Sequence, residues 1–202
     1  GELLNDRDDL FGLRGAIELA LLEGRHFEQS PPLTIDRTLD YFAVIETERG
    51  SIRIDLFEQD APFAVNSFVF LAEQGWYDRT TFHLVIPDFY AQAGDPSGTG
   101  RGNPGYFIPG EHDNGFVFDQ AGLVALSHPP GELERNGSQF FITHVHTPWL
   151  NGKHTVFGHV IEGQEVVNSI EQGDKMETVE ILRVGEEAEN WDAMAHFNKL
   201  AK

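Results

Sequence analysis

Short runs of β-forming residues, recurring between turn signals along most of the chain, restrict its fold more than any other feature. The first pair is residues 41–47 (YFAVIET) and 51–57 (SIRIDLF), joined by Glu48, Arg49 and Gly50. Ile52, Ile54 and Leu56 alternate with Arg53 and Asp55, the period of two that gives a strand one buried and one wet face. The pair therefore reads as an antiparallel hairpin. Residues 61–74 (APFAVNSFVFLAEQ) then change period: Val65, Phe68, Val69 and Ala72 share a helical face, Pro62 opens the first turn and Gly75 ends the run. Further strands are expected over 81–86, 89–93, 122–127, 138–143, 155–161 and 178–184, with a helix near 163–172. Many short strands and few helices predict a mainly-β closed barrel, which leaves no sheet edge unpaired.

Composition bounds the rest. With 202 residues, 40% of them apolar, the chain can build one core plus extensions but would be cramped as two domains. Its 14 basic and 33 acidic residues give a formal charge of −19, which disfavours nucleic acid and anionic membrane surfaces by Coulomb repulsion. The absence of cysteine excludes disulfides, thiolate catalysis and cysteine-ligated zinc. No apolar run reaches membrane-spanning length. Leu10, Leu13, Ile17 and Leu21 fall at helical spacing before residues 28–36 (EQSPPLTID) break the pattern, and the tail from Glu186 places Trp191, Met194 and Ala195 on one stripe. Three parts follow: an N-terminal helical extension and linker over 1–38, a barrel over 39–185 and a C-terminal helix over 186–202.

Four blocks stand in a recognisable order: FHLVIPDF (82–89), AQAGD (91–95), NGSQFFIT (136–143) and WLNGKHTVFG (149–158). Together they resemble the cyclophilin family of peptidyl-prolyl cis-trans isomerases over residues 40–185, and several spaced motifs are far more specific than one. The resemblance implies an eight-stranded antiparallel barrel capped by two helices, with an outer groove for proline-containing peptides or unfolded chains and no cofactor. Amide rotation faces a barrier of roughly 18–20 kcal/mol but breaks no bond, so neither nucleophile nor metal is required. By the resemblance, Phe89, Gln92, Phe141 and His154 carry catalysis: Phe89, Phe141 and Leu150 form the ring pocket, His154 sits at its edge, and Gln92 faces the substrate carbonyl. His83, Leu84, Tyr90, Ser127, His128, Gln139, Trp149 and Leu150 complete the substrate-binding set. Trp149 aligns with a tryptophan that contacts cyclosporin in many members, which makes that drug an expected ligand.

Departures from the family pattern are equally legible. Leu84 stands where the family places an arginine that approaches the prolyl nitrogen and bonds the glutamine, and leucine can do neither. Tyr90 replaces a usual methionine, and residues 127–135 (SHPPGELER) replace a shorter run; Pro129 and Pro130 lack the N–H a substrate contact there would use. Arg101 and Arg135 flank the expected groove and are the available substitute cations. The expected function is X-Pro isomerisation at reduced rate; the alternative is a proline-binding module without useful catalysis.

Other patterns carry less. His144 and His146 share a strand face, but a zinc site needs three or four ligands, so no metal is expected. Gly100, Gly102 and Gly105 spell G-x-G-x-x-G, yet Pro104, Pro109 and Gly110 deny the helix that would hold a pyrophosphate. Strand alternation sends Phe140 to the core and leaves Phe141 for the groove. The acidic surface would steer basic peptides inward. The layout of PPLTID followed by the barrel resembles bacterial cyclophilins exported to the cell envelope or periplasm, so an envelope location is the expectation.

Overall fold

The structure is a computed structural model that describes residues 26–129, 132 and 137–185. The two terminal helices expected before residue 26 and after residue 185 lie outside the described residues. In chain order the elements are β1 (Asp40–Thr47), β2 (Gly50–Leu56), α1 (Pro62–Glu73), β3 (Thr80–Thr81), β4 (Leu84–Ile86), β5 (Tyr90–Ala93), β6 (Leu123–Leu126), β7 (Phe140–Thr143), a 3₁₀ turn (Pro148–Leu150), β8 (Val156–Glu162), α2 (Gln164–Ser169) and β9 (Lys175–Val184).

The expected hairpin forms, with Tyr41 opposite Leu56 and Thr47 opposite Gly50. All strands join one antiparallel sheet in the order β3-β9-β1-β2-β8-β6-β7-β5-β4. This corrects the expectation of a closed eight-stranded barrel: the sheet has nine strands and curls without a ladder between its two edges, β3 and β4, among the described residues. The reason lies at residues 82 and 83, inside what reads in sequence as one strand over 81–86. Phe82 is fully buried, its N–H donates to the Asp174 carbonyl at 2.9 Å, and its own carbonyl accepts from Gly173 at 3.0 Å. Its backbone thus stays with the chain just before β9, in line with the Thr80–Met176 and Thr81–Lys175 pairs, and does not carry on into the β4–β5 ladder. Since β3 and β4 are the sheet's opposite edges yet lie three peptide steps apart, at most about 11 Å, the sheet must curl until its edges approach.

The concave side holds the main core, including Ile45, Ile52, Ile54, Phe68, Trp76, Tyr77, Phe82, Phe140, Ile142 and Phe157. Helix α1 covers one end with Val65, Phe68, Val69 and Ala72, the face read from sequence. Its first turn receives no bond from the N-cap side chain of Ala61; the carboxylate of Glu111 instead accepts from the Phe63 and Ala64 N–H groups at 3.1 and 2.9 Å. Such orphan donors need a partner wherever it comes from. The α2 helix is shorter than expected: it ends at Ser169, and the next residue, Ile170, is extended.

Residues 26–38 lie against the domain. The Phe27 ring packs edge-on to Phe70 at 4.9 Å and near Trp76 and Tyr106, and its N–H donates to the Pro104 carbonyl at 2.8 Å. The buried Asn66 side chain accepts from the Thr34 and Ile35 N–H groups and donates to the Pro32 carbonyl. No helix among the described residues is long and apolar enough to cross a membrane.

Candidate active site

A second, smaller apolar cluster lies on the outer side of the sheet: Phe118, Leu123, Ala125, Phe141 and Val156, with Tyr90 and Leu150 packed against it. Alternation explains it. Along β5, Ala91 and Ala93 point into the main core, so Tyr90 and Gln92 point out; along β7, Phe140 and Ile142 point in and Phe141 out. Register then brings distant residues together: Leu84 is opposite Gln92, Gln92 opposite Phe141, Phe141 opposite Ala125 and Ala125 opposite Val156. One row across five strands thus carries an aliphatic side chain, an amide and an aromatic ring side by side.

Above this row opens a cleft of about 1010 Å³. Of the residues singled out in sequence, Leu84, Phe89, Tyr90, Gln92, Ser127, His128, Gln139, Phe141, Leu150 and His154 line it. His83 and Trp149 do not. Trp149 stands 56% exposed on the 3₁₀ turn, at the rim, with its ring 5.7 Å from Phe89. Phe89 is set by the turn before it: Pro87 fixes one central position, Asp88 takes the left-handed conformation at φ 57°, and the Phe89 N–H donates to Ile86 at 3.1 Å. The apolar wall runs continuously, with ring centroids 4.5 Å apart for Phe89 and Tyr90, 5.2 Å for Tyr90 and Phe141, and 5.1 Å for Phe141 and His154, the last edge-on.

The polar groups form a connected set. Gln92 Nε2 donates to Gln139 Oε1 at 3.0 Å and lies 3.3 Å from His83 Nε2. Gln139 Nε2 in turn donates to the carbonyls of Gly100 and Gly102 at 3.0 and 2.9 Å. That turn is anchored from beneath by Asp95, fully buried, which accepts from the Ser97 N–H, the Ser97 hydroxyl and the Gly102 N–H. Burial alone would raise the Asp95 pKa, but the bonds from Ser97, Gly102 and Gly100 outweigh it and hold the carboxyl below its ordinary value. His83 sits under Gln92 with its Nδ1 buried and without a partner, and burial lowers its pKa.

His154 shares a ring bond with the backbone, Nδ1 to the Leu126 carbonyl at 3.0 Å. Burial pushes its pKa down to about 4, aided by nearby His128 and Lys153 and opposed by the Leu126 bond. The ring is therefore neutral at neutral pH, with Nδ1–H donating and Nε2 bearing the lone pair. His128 stacks on it at 4.5 Å, its two nitrogens 2.9 Å from the Pro129 carbonyl and 2.6 Å from that of Lys153.

Sequence reasoning did not single out Asn103, Phe107, Gly137 or Lys153, which also line the cleft. Phe107 carried a signal: an aromatic residue amid glycines and prolines, 42% exposed in the structure. Of the two candidate substitute cations, Arg101 lines the cleft and Arg135 lies outside the described residues. His144 and His146 acquire no third ligand among the described residues, where no group of three or more such side chains could hold a metal.

The chain is similar to known proteins over most of its length. The family model described as cyclophilin type peptidyl-prolyl cis-trans isomerase/CLD matches residues 42–186. A peptidyl-prolyl cis-trans isomerase of Synechococcus elongatus is 45% identical over 143 residues, covering 69% of this chain and 95% of that protein. Peptidyl-prolyl cis-trans isomerase B of Bacillus subtilis is 43% identical over 132 residues, covering 65% and 91%. A cyclophilin type isomerase of Cryptosporidium parvum superposes with a TM-score of 0.66 at 29% identity, over 71% of this chain and 98% of that one. A second crystal structure of that protein, obtained in the presence of the dipeptide Ala-Pro, gives 0.62. A mainly-β curled sheet with two helices, an outer cleft floored by aromatics and an amide, and these matches together place the chain in the cyclophilin-type peptidyl-prolyl cis-trans isomerase family.

Proposed function

We propose that this isomerase seats the proline ring of an extended segment on Phe89, Phe141 and Leu150, with His154 at the edge, and turns the X-Pro bond more slowly than family members that carry the arginine. Rotation passes through a state in which amide resonance is lost and the prolyl nitrogen is pyramidal, so a group that bonds that nitrogen only in the twisted state lowers the barrier. The observation that carries the reading is the place of Leu84: it lies directly opposite Gln92 at the cleft wall, where it offers area but no donor. Binding by the pocket and Gln92 remains. Both hydrogens of the Gln92 amide are engaged, and the bond to His83 is the longer; a substrate carbonyl takes that hydrogen.

The test is an exchange or protease-coupled isomerisation assay on a model X-Pro peptide with the native chain and Leu84→Arg. The native chain is expected to exceed the uncatalysed rate, and the arginine variant to gain about a hundredfold to a thousandfold in kcat, the scale for one transition-state donor. Binding without acceleration in the native chain would instead favour the proline-binding module. Cyclosporin is proposed to occupy the same groove, and its failure to compete with the peptide in this assay would remove it. The resemblance to exported bacterial relatives supports a cell-envelope location, to be checked by fractionation.

A further inference from the structure

Charge in the cleft runs against the charge of the chain. Carboxylates outnumber lysines and arginines 33 to 14 overall, yet the charged side chains among the described cleft-lining residues are Arg101 and Lys153, with no Asp or Glu. The two cations come from separate loops. Arg101 stands on the turn between Gly100 and Gly102, whose carbonyls are both held by Gln139 and whose second N–H is held by Asp95. Lys153 precedes His154, its N–H donating to the Leu150 carbonyl at 3.0 Å and its carbonyl meeting His128 at 2.6 Å. Each cation is therefore mounted on backbone that is already fixed.

Their side chains differ in one respect from three other arginines. Arg49, Arg53 and Arg183 are each paired with a carboxylate, namely Asp174, Glu162 and Glu73. No ion pair joins Arg101 or Lys153 to a carboxylate among the described residues. An ion pair that a cation already makes must be given up before a ligand can use it; among the described residues these two have none to give up.

We propose that Arg101 and Lys153 make the groove selective for proline segments carrying an aspartate or glutamate within a few residues of the proline, a preference that rests on the isomerase reading of the same cleft. The chain's overall charge would favour basic peptides at a distance, but that field is screened beyond about 8 Å at physiological ionic strength. Contact decides instead, and at contact the peptide meets two cations. Arg101 stands on the turn whose carbonyls Gln139 holds, while Phe141 and His154 form the ring pocket, so on this reading it meets residues that flank the proline.

The test uses peptides identical except for Glu, Gln or Lys at one site, two or three residues before the proline or two after it. Their Kd is measured by NMR titration with the full chain and with Arg101→Gln, Lys153→Gln and the double variant, in low and high salt. Glu over Gln is expected at about threefold to tenfold at one or more sites, the scale of a partly exposed ion pair, with Lys weaker than Gln. Each single substitution should shrink the Glu-to-Gln ratio, and the double variant or high salt should bring it near one. Equal binding of all three peptides, or a ratio unmoved by the double substitution, overturns the proposal and leaves the isomerase reading standing. Binding of none overturns both.

Discussion

The ring of His154 shows how an environment fixes a proton. Burial disfavours its cation, the stacked His128 and neighbouring Lys153 disfavour it further, and the Leu126 carbonyl holds Nδ1–H. With a folded pKa of about 4 against an ordinary 6.5, the unfolded chain takes up this proton first. The group's contribution to stability is therefore full above pH 6.5 and falls as the pH drops towards 4. An NMR titration should find the ring resonances of His154 unchanged from pH 8 to about 5, and His154→Asn should flatten the loss of stability across that window; a midpoint near 6.5 would refute the burial argument. Leu84 is the complementary case. Its identity is plain in the sequence, but only the register opposite Gln92 turns a missing charge into a missing donor at one point of the cleft wall.

Among elements, α1 was readable because its period, Pro62 and Gly75 all agree locally, and agreement between local signals needs no tertiary knowledge. What caps it was not readable. Glu111 lies 47 and 48 residues from the N–H groups it receives, positioned in part by its own N–H on the Thr155 hydroxyl at 2.8 Å. Glu111→Ala is expected to cost about 1 kcal/mol, the typical value for losing an N-terminal cap, measured as a shift in the urea midpoint. The split of residues 81–86 into two strands was hidden for the same reason: β-propensity at Phe82 is satisfied equally by a ladder or by the bonds to Gly173 and Asp174, and only the folded chain chooses. The outer face of β5 and β7 was more open to reading, since alternation separates Phe140 from Phe141 without any structure. Lys153 stands in the WLNGKHTVFG block between Leu150 and His154, but nothing in its own pattern gives it a role, and only the fold shows that it lines the cleft.

At the scale of the molecule, closure was the inference that failed. Short strands between turns imply that sheet edges must be managed, and a barrel is one solution; here the edges β3 and β4 are short, two and three residues, and an edge that short presents few unpaired groups. The strand order has another effect. β1 is sandwiched between β2 and β9, with Asp40 opposite Val184 and Ile45 opposite Val179. Ending the chain after Asp174 should therefore abolish the cooperative unfolding transition, as followed by circular dichroism, although every cleft-lining residue would still be present. On the ribosome the same pairing sets a clock. The hairpin of β1 and β2 emerges early, but one whole side of β1 waits without its neighbour until residues 175–184 have cleared the exit tunnel. The sheet is thus complete only once its last strand in chain order has been made, however early its first hairpin forms.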